Sequence, residues 1–312
     1  MNNFYPEGCL INTAENKNCI KSLSALQEAM IQGRILEARV TICDNEHNLI
    51  VDLPNVKGII PREEGAVGIA DGSTRDIALI AKVNKPVCFK IMNISKDDNG
   101  QPVAFLSRRM VQQECIENYI SCLKAGDIIP AKVTHLEQFG CFVDIGCGIP
   151  SLIPIDAISV SRISHPSDRF YVGQDIKVVV KASSCDNSGR IWLSHKELLG
   201  TWEQNASMFE PGETVAGIVR SVEDYGIFIE LTPNLAGLAE PKDNVEVGQS
   251  ASVYIKAFIP EKMKVKLIIV DSFSSDYTSR NLKYFIDSGH IDYWKYTTDN
   301  SEKVIESTFT QA

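Results

Sequence analysis

The sequence predicts an all-β protein of three small five-stranded barrels in tandem, joined by short helices, with a helical segment in front and a small C-terminal extension. Three observations predict it. One grammar of residues occurs three times along the chain. Each copy divides into about five short runs of alternating apolar and polar residues. Turn-forming clusters separate the runs, such as Asp97-Asp-Asn-Gly100 and Asp186-Asn-Ser-Gly189. At 312 residues the chain is too long for one small core and long enough for two or three domains.

The leading segment, residues 1–32, carries Ile20, Leu23, Leu26 and Met30 at helical spacing. That spacing predicts one helix over Thr13–Met30, opened by a capping box at Asn12-x-x-Glu15 and stopped by Gly33. The first and weakest repeat spans 33–109: GRILEARVTICDNEHNLIVDL, then VKGIIPREE, KPVCFKIMNI and AFLSRR. A joint at 110–124 follows, in which Val111, Cys115, Tyr119 and Cys122 share one helical face. The second repeat, 125–197, is the clearest: GDIIPAKVTHLEQFGCFVDIG, VGQDIKVVVKAS and SGRIWLSHK. A second joint occupies 198–210, and the third repeat, 211–271, reads GETVAGIVRSVEDYGIFIEL, NLAGLAEP, VGQSASVYIKAF and KMKVKLIIV. It is short between its third and fourth strands. In the extension, 272–312, NLKYFIDSGH suggests a short helix stopped at Gly289 and the last residues look loose. Five antiparallel strands in about 70 residues indicate a closed barrel of the OB type.

Composition limits function more than it assigns it. Net charge is −9 with a pI near 5.2, so the chain has no global attraction for nucleic acid and any RNA binding needs local basic patches. No apolar run approaches bilayer-spanning length, and MNNFYPEGCL does not read as a signal peptide, so a cytoplasmic location without membrane attachment is expected. The cysteines number nine, are scattered and lack Cys-x-x-Cys pairs, which favours free thiols over disulfides or zinc. His47, His135, His165, His195 and His290 have no metal spacing, and no phosphate-binding glycine loop occurs. Asp97-Asp98 reads as a turn pair. Asp144 and Glu230 recur at equivalent places, which points to a role in the fold. No enzyme activity, cofactor, metal or small-molecule substrate is expected.

The aromatic pattern is the chemically informative one. Phe139 and Phe142 stand three apart around Gly140, where a flat strand would send them to opposite faces. The third copy repeats this with Tyr225 and Phe228 around Gly226. The first copy has His47 and Ile50 in those places. From Cys141 onward, parity sends Cys141, Val143 and Ile145 inward and Phe142 and Asp144 outward. In the last strand it sends Ile191 and Leu193 inward and Arg190, Trp192 and Ser194 outward.

In this order (Gly-x-Val, Phe-Gly-x-Phe-Val, a Leu-Ile-Pro or Gly-Leu-Ala-Glu segment, Val-Gly-Gln, and Gly-Arg-Ile-x-Leu-Ser), the three copies resemble the S1 RNA-binding domain. The likeness covers roughly Gly33 to Asp271. GIIPREE at 58–64 and the LSRR joint look like the opening repeats of the bacterial ribosomal protein S1 family, of which the chain looks like a shortened member.

The resemblance implies a face that binds single-stranded RNA, messenger RNA included. It places Phe139 and Phe142 on that face, with Gly140 bending the chain so that Phe139 turns outward. It adds Asp186, Arg190 and Trp192 on the last turn and strand, and Lys132 on the first. In the third copy it implies Tyr225, Phe228, Lys264 and Lys266, with Lys256 nearby. Several have a plainer reading: Phe139 capping the core, Asp186 as a turn residue, Trp192 packed on the following helix, the third copy's lysines as solvated surface. A family histidine is replaced by Pro154 in the second copy and Glu240 in the third. The first repeat lacks the platform, so the family likeness makes it the docking element toward the 30S subunit. Two further classes stay open: an RNA-binding regulator of decay or transcription, and a protein-interaction scaffold.

Overall fold

The computed structural model describes residues 4–182, 191–274 and 282–309. Asp186, Arg190 and the turn expected at 186–189 lie outside the described residues. The chain divides into two compact units. One runs from the N-terminus to Leu123 and adds residues 130–132 and 144–150; the other holds the remainder.

The first unit opens with two helices where the pattern predicts one: α1 (Ala14–Ile20) and α2 (Leu23–Ile31). Ser22 explains the break. Its backbone is extended, and its hydroxyl accepts the Ala25 N–H at 3.2 Å, so it caps a new helix. The first cap is Thr13, whose hydroxyl accepts the Asn16 N–H, and not Asn12. Gly33 ends α2 as expected, at φ +60°, with its N–H bonded back to the Met30 carbonyl.

Strands β1 (Leu36–Cys43), β2 (Leu49–Leu53), β3 (Val56–Ile60), β4 (Pro86–Lys96) and β5 (Pro102–Ser107) close into a barrel in the order β1-β2-β3-β5-β4. The short helix α3 (Ile77–Ile80) lies in the β3–β4 connection. β3 and β5 pair in parallel; every other neighbouring pair is antiparallel. Leu36, Val40, Leu49, Val51, Phe89 and Leu106 fill the interior. The turn at Asp97 forms as the sequence suggests: its side chain accepts the Asn99 and Gln101 N–H groups, and Gly100 takes φ +77°.

Helix α4 (Arg108–Asn118) follows, capped by Ser107. Val111 and Cys115 are buried as the helical face predicts. Cys122 is exposed instead, because α4 stops at Asn118 before the face reaches it.

The N-terminal segment is tied down by charge. Glu7 bonds Arg108 at 2.6 Å and Lys82 at 2.7 Å, while Glu37 accepts N–H groups from Gly8, Leu10 and Ile11. The neighbouring cations hold the Glu7 carboxyl down at about 2 against its burial, whereas burial pushes Glu37 up to about 7.

The second barrel comprises β6 (Ile128–Glu137), β7 (Gly140–Asp144), β8 (Pro150–Pro154), β9 (Asp175–Ala182) and β10 (Trp192–Ser194), in the order β6-β7-β8-β10-β9. After α5 (Trp202–Ala206), the third barrel repeats that order with β11 (Thr214–Glu223), β12 (Gly226–Thr232), β13 (Leu235–Ala239), β14 (Ser250–Ile259) and β15 (Lys264–Phe273). Three closed five-stranded barrels of one topology are therefore present, as the repeat predicts.

In the second unit, the third barrel's core continues into Trp202, Trp294 and Tyr296. The segment 282–290 is not the expected helix. Its residues are used singly: the Phe285 ring covers Gly200, and the Tyr284 hydroxyl accepts the Lys177 N–H and contacts His195. A small ribbon follows, β16 (Tyr293–Lys295) with β17 (Glu306–Thr308), and Phe309 is buried beside it. The final residues expected to be loose, 310–312, lie outside the described residues.

Candidate nucleic-acid interface

The two glycines of the aromatic motif are required by close approach. A Cβ on Gly140 would stand 2.5 Å from the Ile153 carbonyl oxygen and 3.1 Å from Leu152 Cδ1. A Cβ on Gly226 would stand 2.7 Å from the Ala239 oxygen and 2.8 Å from Leu238 Cδ1. The expected reason, a bend using dihedrals open to glycine, is corrected at Gly140, which does not have a positive φ. In both barrels the third strand, the neighbour of the second in the sheet, brings its backbone against the glycine at this point, and only glycine leaves room. The preceding aromatic is then outside the strand, in the turn, free of strand parity. That is how two rings three apart reach one surface.

Both pairs have the same geometry. Phe139 and Phe142 are edge to face, with centroids 5.9 Å apart at 90°. Tyr225 and Phe228 are 6.2 Å apart at 85°. Phe139 is 56% exposed and Tyr225 68%, so neither caps a core. Phe142 and Phe228 are half-buried on their strands. Edge-to-face packing holds each inner ring upright and leaves the outer ring's face open to a ligand.

Strand register extends these pairs into rows. In the third barrel Ser221, Phe228, Leu238 and Lys266 are successive cross-strand partners on β11, β12, β13 and β15. Lys264 and Lys266 are both exposed and, among the described residues, have no ion-pair partner. In the second barrel Trp192 on β10 pairs with Leu152 on β8, so Trp192 takes the place that Lys266 takes in the third. Trp192 is 40% exposed, consistent with the outward expectation.

Other expectations are met or corrected individually. Cys141, Val143, Ile145, Ile191 and Leu193 are buried, as parity predicts. Asp144 was expected outward and is buried: its carboxylate accepts the Glu7, Gly146 and Gly148 N–H groups, and burial pushes it up to about 6. Ser194 was also expected outward and is fully buried, donating to Glu197 at 2.5 Å. Lys132 on β6 is half-buried and already engaged within the fold. Glu230 does serve the fold, bonding Arg169 at 2.5 Å and Arg220 at 2.8 Å in the interior of the second unit.

The first barrel presents a different surface at the equivalent place. Ile42, Ile50, Ile59 and Phe105 are successive partners across β1, β2, β3 and β5. Ile42 is 56% exposed and Phe105 half-buried, so the row is an apolar face of three isoleucines and one ring, without the paired rings of the other two barrels. Where the other repeats have aromatic-glycine, Asn48 accepts the Arg62 N–H and donates to Asp44, closing the turn with side chains.

A cleft of about 970 Å³ in the first unit is lined by Leu10, Arg34, Lys90 and Glu114 among others. Its charges are already paired, Arg34 with Glu15 and Lys90 with Glu114, both at 2.6 Å, so it offers no unpaired charge to a ligand. Among the described residues no group of three potential metal ligands occurs, and no helix is long and apolar enough to cross a membrane.

Comparison with known proteins matches residues 123–196 to the S1 RNA binding domain family. The small ribosomal subunit protein bS1 of Staphylococcus aureus (strain COL) is 30% identical over 267 residues, covering 80% of this chain and 64% of that protein. A bS1 homolog of Bacillus cereus (strain ATCC 10987 / NRS 248) is 29% identical over 272 residues, covering 82% and 68%. The chain thus spans just under two thirds of the Staphylococcus relative. A multidomain protein with nucleic acid binding domains from Streptococcus pneumoniae TIGR4 aligns over 77% of this chain and 74% of its own, at 14% identity. Its TM-score is 0.25, at which the likeness carries no argument.

Proposed function

From a chain that carries an S1 RNA-binding domain and resembles bS1 over four-fifths of its length, we propose a non-enzymatic protein that binds single-stranded RNA, messenger RNA included, and acts in translation in the cytoplasm. The observation that carries the reading is the aromatic pair built twice, with one geometry, on the outside of two barrels. Solvent-facing rings on the outer surface of an OB barrel stack unpaired bases without preference for sequence, at about 1–3 kcal/mol per base. Two such barrels on one chain raise affinity, because the second contact is intramolecular. With a net charge of −9, attraction to phosphate must be local, and Lys264 and Lys266 supply it beside the rings.

The first barrel is assigned to docking on the small ribosomal subunit, on the strength of its apolar row. Sedimentation of the full chain with small subunits at low salt tests this assignment. Co-migration supports it, and its loss on Ile42→Asp with RNA affinity retained would locate the contact on that row. RNA binding without co-migration would instead favour a regulator of RNA decay or transcription. The same apolar row favours one second reading, a protein-interaction scaffold. Absence of RNA binding by the native protein would put that reading first.

A further inference from the structure

The rows on the second and third barrels begin and end differently, and the beginning of the second holds an unassigned ring. His135 lies on β6 two residues before its end, where β11 of the third barrel has Ser221. Ser221 is the cross-strand partner of Phe228. The His135 imidazole is correspondingly beside Phe142, with centroids 6.5 Å apart and planes inclined at 36°. Phe142 in turn meets Phe139 at 5.9 Å. Three rings are therefore contiguous, and Trp192 stands two strands further along the same face.

We infer that His135 is a base-stacking residue of the second barrel, completing with Phe139, Phe142 and Trp192 an aromatic strip that holds successive bases. This rests on the RNA-binding reading above and deepens it. The side chain is 64% exposed, so no packing role in the core accounts for the ring. Its Nε2 lies 2.6 Å from the Glu137 carboxylate. That contact orients the ring and sets a carboxylate beside it, which repels phosphate. His135 consequently offers a flat face and not a phosphate-binding cation.

The third barrel has the opposite arrangement, serine at the start of its row and Lys266 at the end. Among the described residues the two rows differ in kind: the second is a strip of rings, whose stacking is insensitive to salt, and the third adds exposed lysines to two rings, whose phosphate contacts are not.

The test is fluorescence anisotropy of the full chain with a fluorescein-labelled, unstructured RNA of about 20 adenosines and cytidines, across a salt series. His135→Ala should weaken binding by about five-fold or more, and His135→Phe should restore it to within about two-fold of native. The slope of log affinity against log salt should not move in either variant. Lys264→Ala/Lys266→Ala should lower that slope by about 0.7 for each lysine that contacts phosphate. Equal affinity of His135→Ala and native protein, with Phe142→Ala weakened, overturns the role of His135 alone. So does failure of His135→Phe to restore binding, or a changed salt slope in His135→Ala. No binding by the native protein overturns the RNA reading and this inference together.

Discussion

Replacing Glu230 by Gln removes one negative charge from the interior of the second unit. Glu230 is 6% exposed at its side chain and Arg169 only 2%; their contact is 2.5 Å. Arg220 makes the second contact at 2.8 Å and keeps a longer one to Asp168 at 3.3 Å. Without the Glu230 charge, Arg169 keeps hydrogen bonds only to the Ser159 hydroxyl and the Asp168 carbonyl, with the Asp168 carboxylate nearby but not bonded to it. Breaking a buried pair on one side costs about 3–5 kcal/mol, because the remaining ion stays desolvated. For a unit of this size each kcal/mol moves the midpoint by about 2–4 °C, so Glu230→Gln should lower Tm by roughly 6–20 °C. Removing both ions together, as Arg169→Met/Glu230→Leu, should recover much of that loss, since no isolated charge remains on Arg169. Asp299→Asn breaks the solvent-exposed pair with Lys295 and should leave the midpoint unchanged. Thermal unfolding followed by near-ultraviolet circular dichroism measures all three. A shift below about 2 °C for Glu230→Gln would refute the argument that the buried carboxylate holds these segments together.

Three further outcomes follow from the same geometry. Gly140→Ala should destabilise the protein and weaken RNA binding together, because its Cβ would stand 2.5 Å from the Ile153 oxygen and push β8 away; native stability in that variant would contradict the close-approach argument. Thiol labelling of the native protein should modify the exposed Cys9 and Cys122 quickly and spare Cys88, Cys141 and Cys147 until unfolding. Burial pushes Cys88 well up and Cys141 to about 12, and hydrogen bonding to Cys115 raises Cys147, so none supplies thiolate at neutral pH; mass spectrometry locating early label on Cys147 would count against this.

The last concerns pH in the first unit. Glu37 and Asp144 are raised to about 7 and about 6, so their folded forms bind protons more tightly than the unfolded chain. Their contribution is complete below about pH 4 and is lost as pH rises through 6 and 7. Glu7, lowered to about 2, contributes in the opposite sense and matters only as pH falls below about 4.5. Burial lowers His195 of the second unit to about 4, which acts in the opposite sense until about pH 6.5. The denaturation midpoint should therefore fall between about pH 6.5 and pH 8, and Glu37→Gln should flatten that fall; a midpoint that rises over this range would reverse the assignment.

What the sequence discloses is what repeats locally. Alternation from β7 onward sends Cys141, Val143 and Ile145 to the core because a closed barrel has one inside, and the same rule buries Leu49, Val51 and Leu53 in the first copy and Ile227 and Ile229 in the third. Parity failed where a distant segment covers the outside of a strand. Asp144 is outward from the barrel yet buried, because Glu7, far off in sequence, donates to it. Ser194 is buried for a similar reason, enclosed with Glu197 and the Ala157 carbonyl.

Helix prediction erred where a polar residue was in competition with periodicity. Ser22 interrupts an apolar stripe that otherwise runs on, and a cap outweighs continuity there. The segment 282–290 has helical residues but places Tyr284 and Phe285 separately onto Lys177 and Gly200, contacts that an isolated sequence cannot announce.

The aromatic pairs were legible in the sequence, the reason for their glycines only half so. Spacing alone shows that both rings cannot obey one strand; the carbonyl that excludes a Cβ belongs to another strand. His135 was visible only as an isolated histidine, since its nearness to Phe142 depends on the register of β6 against β7.

The most direct test of the account is the affinity of the full chain for single-stranded RNA of about 20 nucleotides, compared with Phe139→Ala/Phe142→Ala and Tyr225→Ala/Phe228→Ala. Stacking on both barrels predicts tight native binding and a loss of about ten-fold or more in each double variant, with the fold intact. Native affinity retained in both variants would contradict it, because the rings that two barrels hold in one geometry would then have no part in holding RNA.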